Sequence, residues 1–136
     1  MTLAPEDRNE IVTLRLDNAQ NAIEDAELLF ENGSLRSAVN RTFYSMFYTV
    51  SALAIADGKS FKKHRQVLAF FHKEYAQPEI FDRKHARALQ KAFEDRTEAD
   101  YQDYIHITAE QVHIRIQEAR ELLTAVNEYL ASREQL

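Results

Sequence analysis

Two glycines and two prolines are the only strong backbone breakers in 136 residues, and that scarcity decides most of what the chain can become. Strands need turns between them, and tight turns lean on Gly, Pro and Asn-Gly pairs. With so few of these, hairpin and sandwich architectures are excluded and helices dominate. The breaks themselves read as helix ends. Asn32-Gly33, Asp57-Gly58 and Gln77-Pro78 divide the chain, while Pro5 suits the first turn of an opening helix.

Between the breaks, apolar residues recur at steps of three and four, the period of an amphipathic helix. The spacing predicts a first helix over 5–31, with Ile11, Leu14, Ala22, Ala26, Leu29 and Phe30 inward and Glu6, Asp7 and Glu10 at its positive end. A second helix, capped by Ser34, is predicted as far as Asp57-Gly58. Its apolar positions, among them Val39, Phe43, Met46, Phe47, Val50 and Leu53, wrap so much of its circumference that it should be central. A third is expected from a Ser60 cap to Tyr75, and a fourth from Glu79 to Asp95 with Ile80, Phe81, Leu89 and Phe93 inward. Residues 96–107 either extend the fourth helix or form a turn of their own. Thr108 and Gln111 make a capping-box pattern that opens a last helix to about Leu130. Short connections favour antiparallel neighbours, so the expected fold is all-α: a four- to five-helix up-and-down antiparallel bundle, one domain over residues 1–136.

Function classes fall away quickly. Without cysteine there are no disulfides, no thiolate zinc sites and no cysteine nucleophile, a usage that suits a reducing cytosol. No apolar run approaches the ~20 residues of a membrane span, and the first residues lack a basic stretch followed by an apolar one. A cytoplasmic protein with no membrane association is therefore expected. Two glycines cannot build a phosphate loop, a nucleophile elbow or a dinucleotide fingerprint.

The net charge of −5 argues against a generic nucleic-acid binder, but it is unevenly spread. Residues 59–91 hold nine Lys and Arg against three acids, while the remainder carries eight against nineteen. Either that basic stretch faces an anionic partner, or it packs against acidic helices of the same fold or of a twin subunit.

Two arginines stand out. Arg41 lies within the most apolar helix, where a charge must be paired or open to a groove, and an acid from 94–103 is its natural partner. Arg96 opens the run Arg96-Thr-Glu-Ala-Asp-Tyr101, where Asp100 falls one helical turn on and Tyr101 beside it. Both arginines could line one groove and hold a phosphate, or each could simply brace one helix against another. His64, flanked by Lys62, Lys63 and Arg65 at the expected start of helix three, combines a titratable ring with cations and a helix N-terminus. It too can be read as a solvated first turn. The ladder Phe43, Tyr44, Phe47, Tyr48 could stack bases, although core or dimer packing is the commoner use of such spacing. His106, Glu110 and His113 share a helical face, but nothing else converges on them and no metal is assigned. His72 and His85 read as surface or packing residues.

Taken in order, these segments resemble a known family. Ala38-Val39-Asn40-Arg41-Thr42-Phe43-Tyr44-Ser45-Met46-Phe47-Tyr48 resembles the A-x-x-R-x-Y-Y-A-x-F helix of HEPN domains. Gly58 followed by Lys63-His64-Arg65-Gln66-Val67 is similar to that family's connection, and Arg96 to Tyr101 is similar to the R-x-x-A-D-Y signature of its small single-domain prokaryotic branch. The resemblance spans residues 10–130. It implies a helical bundle that dimerises, commonly paired with a minimal nucleotidyltransferase as the two halves of a toxin–antitoxin system. Many members of that family are metal-independent ribonucleases with an Arg followed after four to six residues by His. Here Tyr101, Gln102 and Asp103 occupy those places and the next histidine is His106, so the standard pair is incomplete.

The expected function is an interaction module that binds a nucleotidyltransferase partner, RNA or a nucleotide through an Arg-lined groove, as a homodimer and without a cofactor. The alternative is a ribonuclease with a non-standard site of Arg41, His64 and Arg96 at the dimer interface. Candidate binding residues are Lys62, Lys63, Arg65, Tyr44, Asp100 and Tyr101.

Overall fold

A computed structural model describes residues 4–101 and 107–134, with Asp100 and Tyr101 described by their backbone alone. Five α-helices run in the order α1 (Pro5–Glu31), α2 (Leu35–Ala56), α3 (His64–Phe71), α4 (Arg83–Tyr101) and α5 (Ala109–Glu134), and a π-helical turn, His72–Ala76, follows α3. The fold is an all-α bundle. None of these helices is long and apolar enough to cross a membrane.

Both glycines do the work their positions suggested. Gly33 (φ +80°) and Gly58 (φ +77°) take the left-handed conformation that ends α1 and α2. At the first, the Ser34 N–H donates to the Leu29 carbonyl (2.8 Å) and the Gly33 N–H to the Phe30 carbonyl (3.0 Å). At the second, Lys59 donates to Ala54 (2.8 Å) and Gly58 to Ile55 (2.9 Å). These crossed pairs satisfy the last carbonyls of each helix in a Schellman arrangement.

The chain then folds back. Ser45 of α2 donates its hydroxyl to the Ala19 carbonyl of α1 at 2.9 Å, and Arg8 lies near Gly58, so α1 and α2 are antiparallel. Small residues at Ala19, Ala22, Ala26, Ala38 and Ser45 let the two backbones approach. Helix α5 pairs with α4 through Lys84–Glu121 and Arg115–Asp95, again antiparallel. It meets α1 through Arg120–Glu27 and Phe30–His113. Helix α2 touches α1, α3, α4 and α5, and its Phe43, Met46, Val50 and Leu53 form the middle of the core. Burying such side chains supplies roughly 1.5–3 kcal/mol each.

Several local expectations are corrected. Leu14 is 54% exposed, because the buried stripe of α1 runs through Ala19, Ile23 and Ala26 instead. Ser34 makes no side-chain cap. Helix α3 starts at His64 rather than after Ser60, held by the Lys63 N–H donating to Gln66 Oε1 at 3.3 Å. The fourth helix starts at Arg83, so Ile80 sits in the preceding turn and is 49% exposed. The open question over 96–107 resolves in part, since α4 continues through Arg96 to Tyr101. Thr108 does cap α5 by accepting from the Gln111 N–H (3.1 Å), but the Gln111 side chain reaches Asp95 instead of closing the box.

Candidate functional site

Where α2, α3 and α4 meet, three charged or titratable side chains gather over one tyrosine. Helix α2 turns Phe43 fully into the core and leaves Tyr44 half-buried beside it, since consecutive residues lie about 100° apart around a helix. Arg41, nearly one turn earlier, lays its guanidinium over the Tyr44 ring at 5.1 Å. Arg96 of α4 approaches the same ring at 5.4 Å and that of Phe43 at 5.6 Å. Both arginines thus share a single aromatic platform, an arrangement held by attraction to the ring faces.

His64, the first residue of α3, fits between them. Its ring lies edge-on to Phe43 (5.3 Å), Tyr44 (5.7 Å) and Phe47 (4.7 Å), and its Nδ1 is 3.3 Å from Arg96 Nη1. A guanidinium only donates, so Nδ1 must be the acceptor and the ring proton resides on Nε2. Burial and the neighbouring Arg96 charge hold the His64 pKa below its ordinary 6.5, in that order of size. The imidazole is therefore neutral at pH 7 and presents an N–H. Arg41, Arg96 and His64 are a set of donors gathered on an apolar wall, which suits an anion.

The expected acid partner of Arg41 is absent among the described residues. Its Nε and Nη2 donate to Asn40 Oδ1 at 3.3 and 3.0 Å, while Asp95 is taken by Arg115 (3.0 Å) on α5. Arg115 in turn bridges to Glu118 at 2.6 Å. The basic residues flanking His64 do not join the cluster: Lys62 and Lys63 are exposed in the turn before α3, and Arg65 faces a separate groove between α3 and α4. The side chains of Asp100 and Tyr101 lie outside those described, as do His106, Gln102 and Asp103. His113 packs against Phe30 at 6.0 Å; His85 is buried with its edge toward Phe81, and His72 is exposed.

Sequence reasoning missed Asn40, which orients Arg41, and Phe93, whose ring lies 5.8 Å from Phe43 and backs the platform. Asn40 carried a weak signal in its position next to a charged residue on an apolar helix.

A model of the HEPN domain matches residues 12–129. The chain is 34% identical over 124 residues to a UPF0332 protein of Thermotoga maritima, covering 91% of this chain and 94% of that one. Two proteins of Methanocaldococcus jannaschii named "putative toxin" are each 31% identical, one over 87% of this chain and 80% of its own length, the other over 69% of both.

Proposed function

Because the chain belongs to the HEPN domain family, we propose that it is the toxin-type half of a two-component pair, an RNA-directed module that holds phosphate at the Arg41–Tyr44–His64–Arg96 cluster. The observation that carries this reading is the convergence of both guanidinium groups on Tyr44, with His64 locked to Arg96. Charge-assisted donors on an aromatic wall favour a phosphate flanked by a base that can stack. A homodimer and a nucleotidyltransferase partner belong to the same proposal, supported by the family and by the names of two relatives.

The tautomer of His64 separates binding from cleavage. A general base needs a ring nitrogen with an available lone pair near the attacking hydroxyl. Here Nδ1 is engaged by Arg96 and Nε2 is protonated, so the ring donates to a phosphate and does not accept a proton. Cleavage through this histidine would require Arg96 to release it. The ribonuclease reading rests on that rearrangement and ranks second.

A single experiment addresses both. The full chain is titrated against a labelled single-stranded RNA in excess EDTA, following anisotropy and, on a gel, the integrity of the RNA. Arg96→Ala and Arg41→Ala are expected to weaken binding by about tenfold or more, uniformly across sequences, and to reduce the salt dependence by about one counterion each. Binding that is unaffected by both substitutions overturns the proposal. RNA cut without metal, with cutting abolished by His64→Ala, replaces it with the ribonuclease reading.

A further inference from the structure

Helices α3 and α4 leave between them an open groove of about 900 Å³ that the cluster at Tyr44 does not touch. Its floor is apolar, from Leu68, Ala86 and Phe93. Its rim is cationic, with Arg65 on the α3 side and Arg83, Arg87 and Lys91 on the α4 side. The last three recur every four residues, a stripe extending roughly 12 Å along one face of α4. Arg96 lies roughly 140° around the helix from Lys91, on a different face.

Those cations are not there to hold the bundle together. Among the described residues, the only rim cation in an ion pair is Arg83, with the exposed Glu79 at 3.6 Å. Arg65, Arg87 and Lys91 are exposed and form none, whereas the cations that brace helices, such as Arg115 and Arg120, pair with acids across an interface. A positive stripe beside an apolar floor calls for an occupant that is apolar on one side and acidic on the other.

We infer that this groove receives an acidic amphipathic helix from another polypeptide, its apolar stripe on Leu68 and Phe93 and its Glu or Asp side chains along Arg83, Arg87 and Lys91. The helix-in-groove mode fits both dimensions and charge. A second copy of this chain is a poorer occupant. Its large exposed apolar residues among those described are Leu14, Leu28, Ile80 and Ile114, too scattered to supply anchors at three- and four-residue steps. Single-stranded nucleic acid is poorer too, because Phe93 is the groove's lone aromatic apart from His72, and strand binding leans on successive stacking rings.

The test is an anisotropy titration of the full chain with three labelled probes. One is a peptide of about 18 residues, long enough for some five helical turns, with Leu at three- and four-residue steps and Glu elsewhere. The second is the same composition scrambled, and the third is a single-stranded RNA oligonucleotide. The striped peptide is expected to bind about tenfold more tightly than the scrambled one. The double reversal Arg87→Glu/Lys91→Glu is expected to weaken it by about tenfold, leaving the melting curve unchanged because both side chains are exposed. Lys91→Glu alone should give a smaller loss in the same direction. Arg96→Ala should leave peptide binding intact, so failure of this inference and failure at the Tyr44 cluster are told apart. No binding of the striped peptide, equal binding of the scrambled one, or indifference to both charge reversals overturns the inference. So does RNA binding that falls with Arg87→Glu/Lys91→Glu and survives Arg96→Ala, which would assign the groove to nucleic acid.

Discussion

His64 shows how a single ring can join an aromatic core to a charged surface. Held neutral by burial and by Arg96, it also puts a pH dependence on stability. Its folded pKa lies below 6.5, so the unfolded chain takes up a proton first as the pH falls. The stability it contributes is complete above 6.5 and is lost as pH drops from there through the folded value. His64→Asn should therefore flatten the fall of melting temperature on acidification. His85, also held low by burial, adds a slope of the same sign and should remain in that variant. Phosphate binding should raise the His64 pKa, visible in the pH titration of its Cε1 proton by NMR; an unmoved midpoint would place the anion elsewhere. Arg41 is the residue at which sequence and structure part. A bridge to a buried acid would make Arg41→Ala cost about 3–5 kcal/mol. A half-buried guanidinium on Tyr44, bonded to Asn40, should cost about 1 kcal/mol in urea unfolding, with the larger loss in RNA affinity.

Each helix end tests a different physical rule. At Gly33 and Gly58 an added Cβ would meet nothing closer than Arg8 Nη2 at 3.8 Å, so Gly→Ala at either site isolates the backbone term. Each substitution should lower stability by about 1 kcal/mol in chemical denaturation, the strain of a left-handed alanine. A neutral result would mean that the turn relaxes to another conformation. These ends were legible because glycine has few other reasons to appear in such a chain. The start of α3 was not legible. Ser60 has the chemistry of a cap, but the residues after it stay irregular until Lys63, where the Gln66 side chain closes the first turn. Nor did periodicity reveal that the third helix changes pitch after Phe71, since apolar residues at 70, 71 and 75 fit either winding.

Across the whole bundle, fold class and helix count could be read from periodicity and breaks, because burial of an apolar stripe leaves its mark on every turn. The candidate site was legible only in its members. Arg41, Tyr44, His64 and Arg96 drew notice individually, but which acid goes to which arginine depends on how α4 and α5 are rotated, and one sequence does not encode that locally. The same holds for the contact that ties three distant segments: the Tyr75 hydroxyl donates to Asp57 at the end of α2, and Arg133 near the end of α5 donates to the same carboxylate at 2.9 Å. Burial, then the bond to Asp57, pushes the Tyr75 hydroxyl pKa far up, so it stays protonated throughout the physiological range. Tyr75→Phe should cost about 1–2 kcal/mol, read as a drop in melting temperature, and no drop would show that Arg133 alone satisfies Asp57. That contact depends on the wide turn before it, where the Gln77 N–H reaches back to the His72 carbonyl at 2.8 Å. A turn of this kind holds one more residue than ordinary winding needs. Deleting a residue there would let the rod heal into regular pitch and swing the tyrosine by roughly 100° off its mark. The spare residue thus works as a phase adjuster, and a chain one residue shorter could keep all five rods yet lose the knot that joins them.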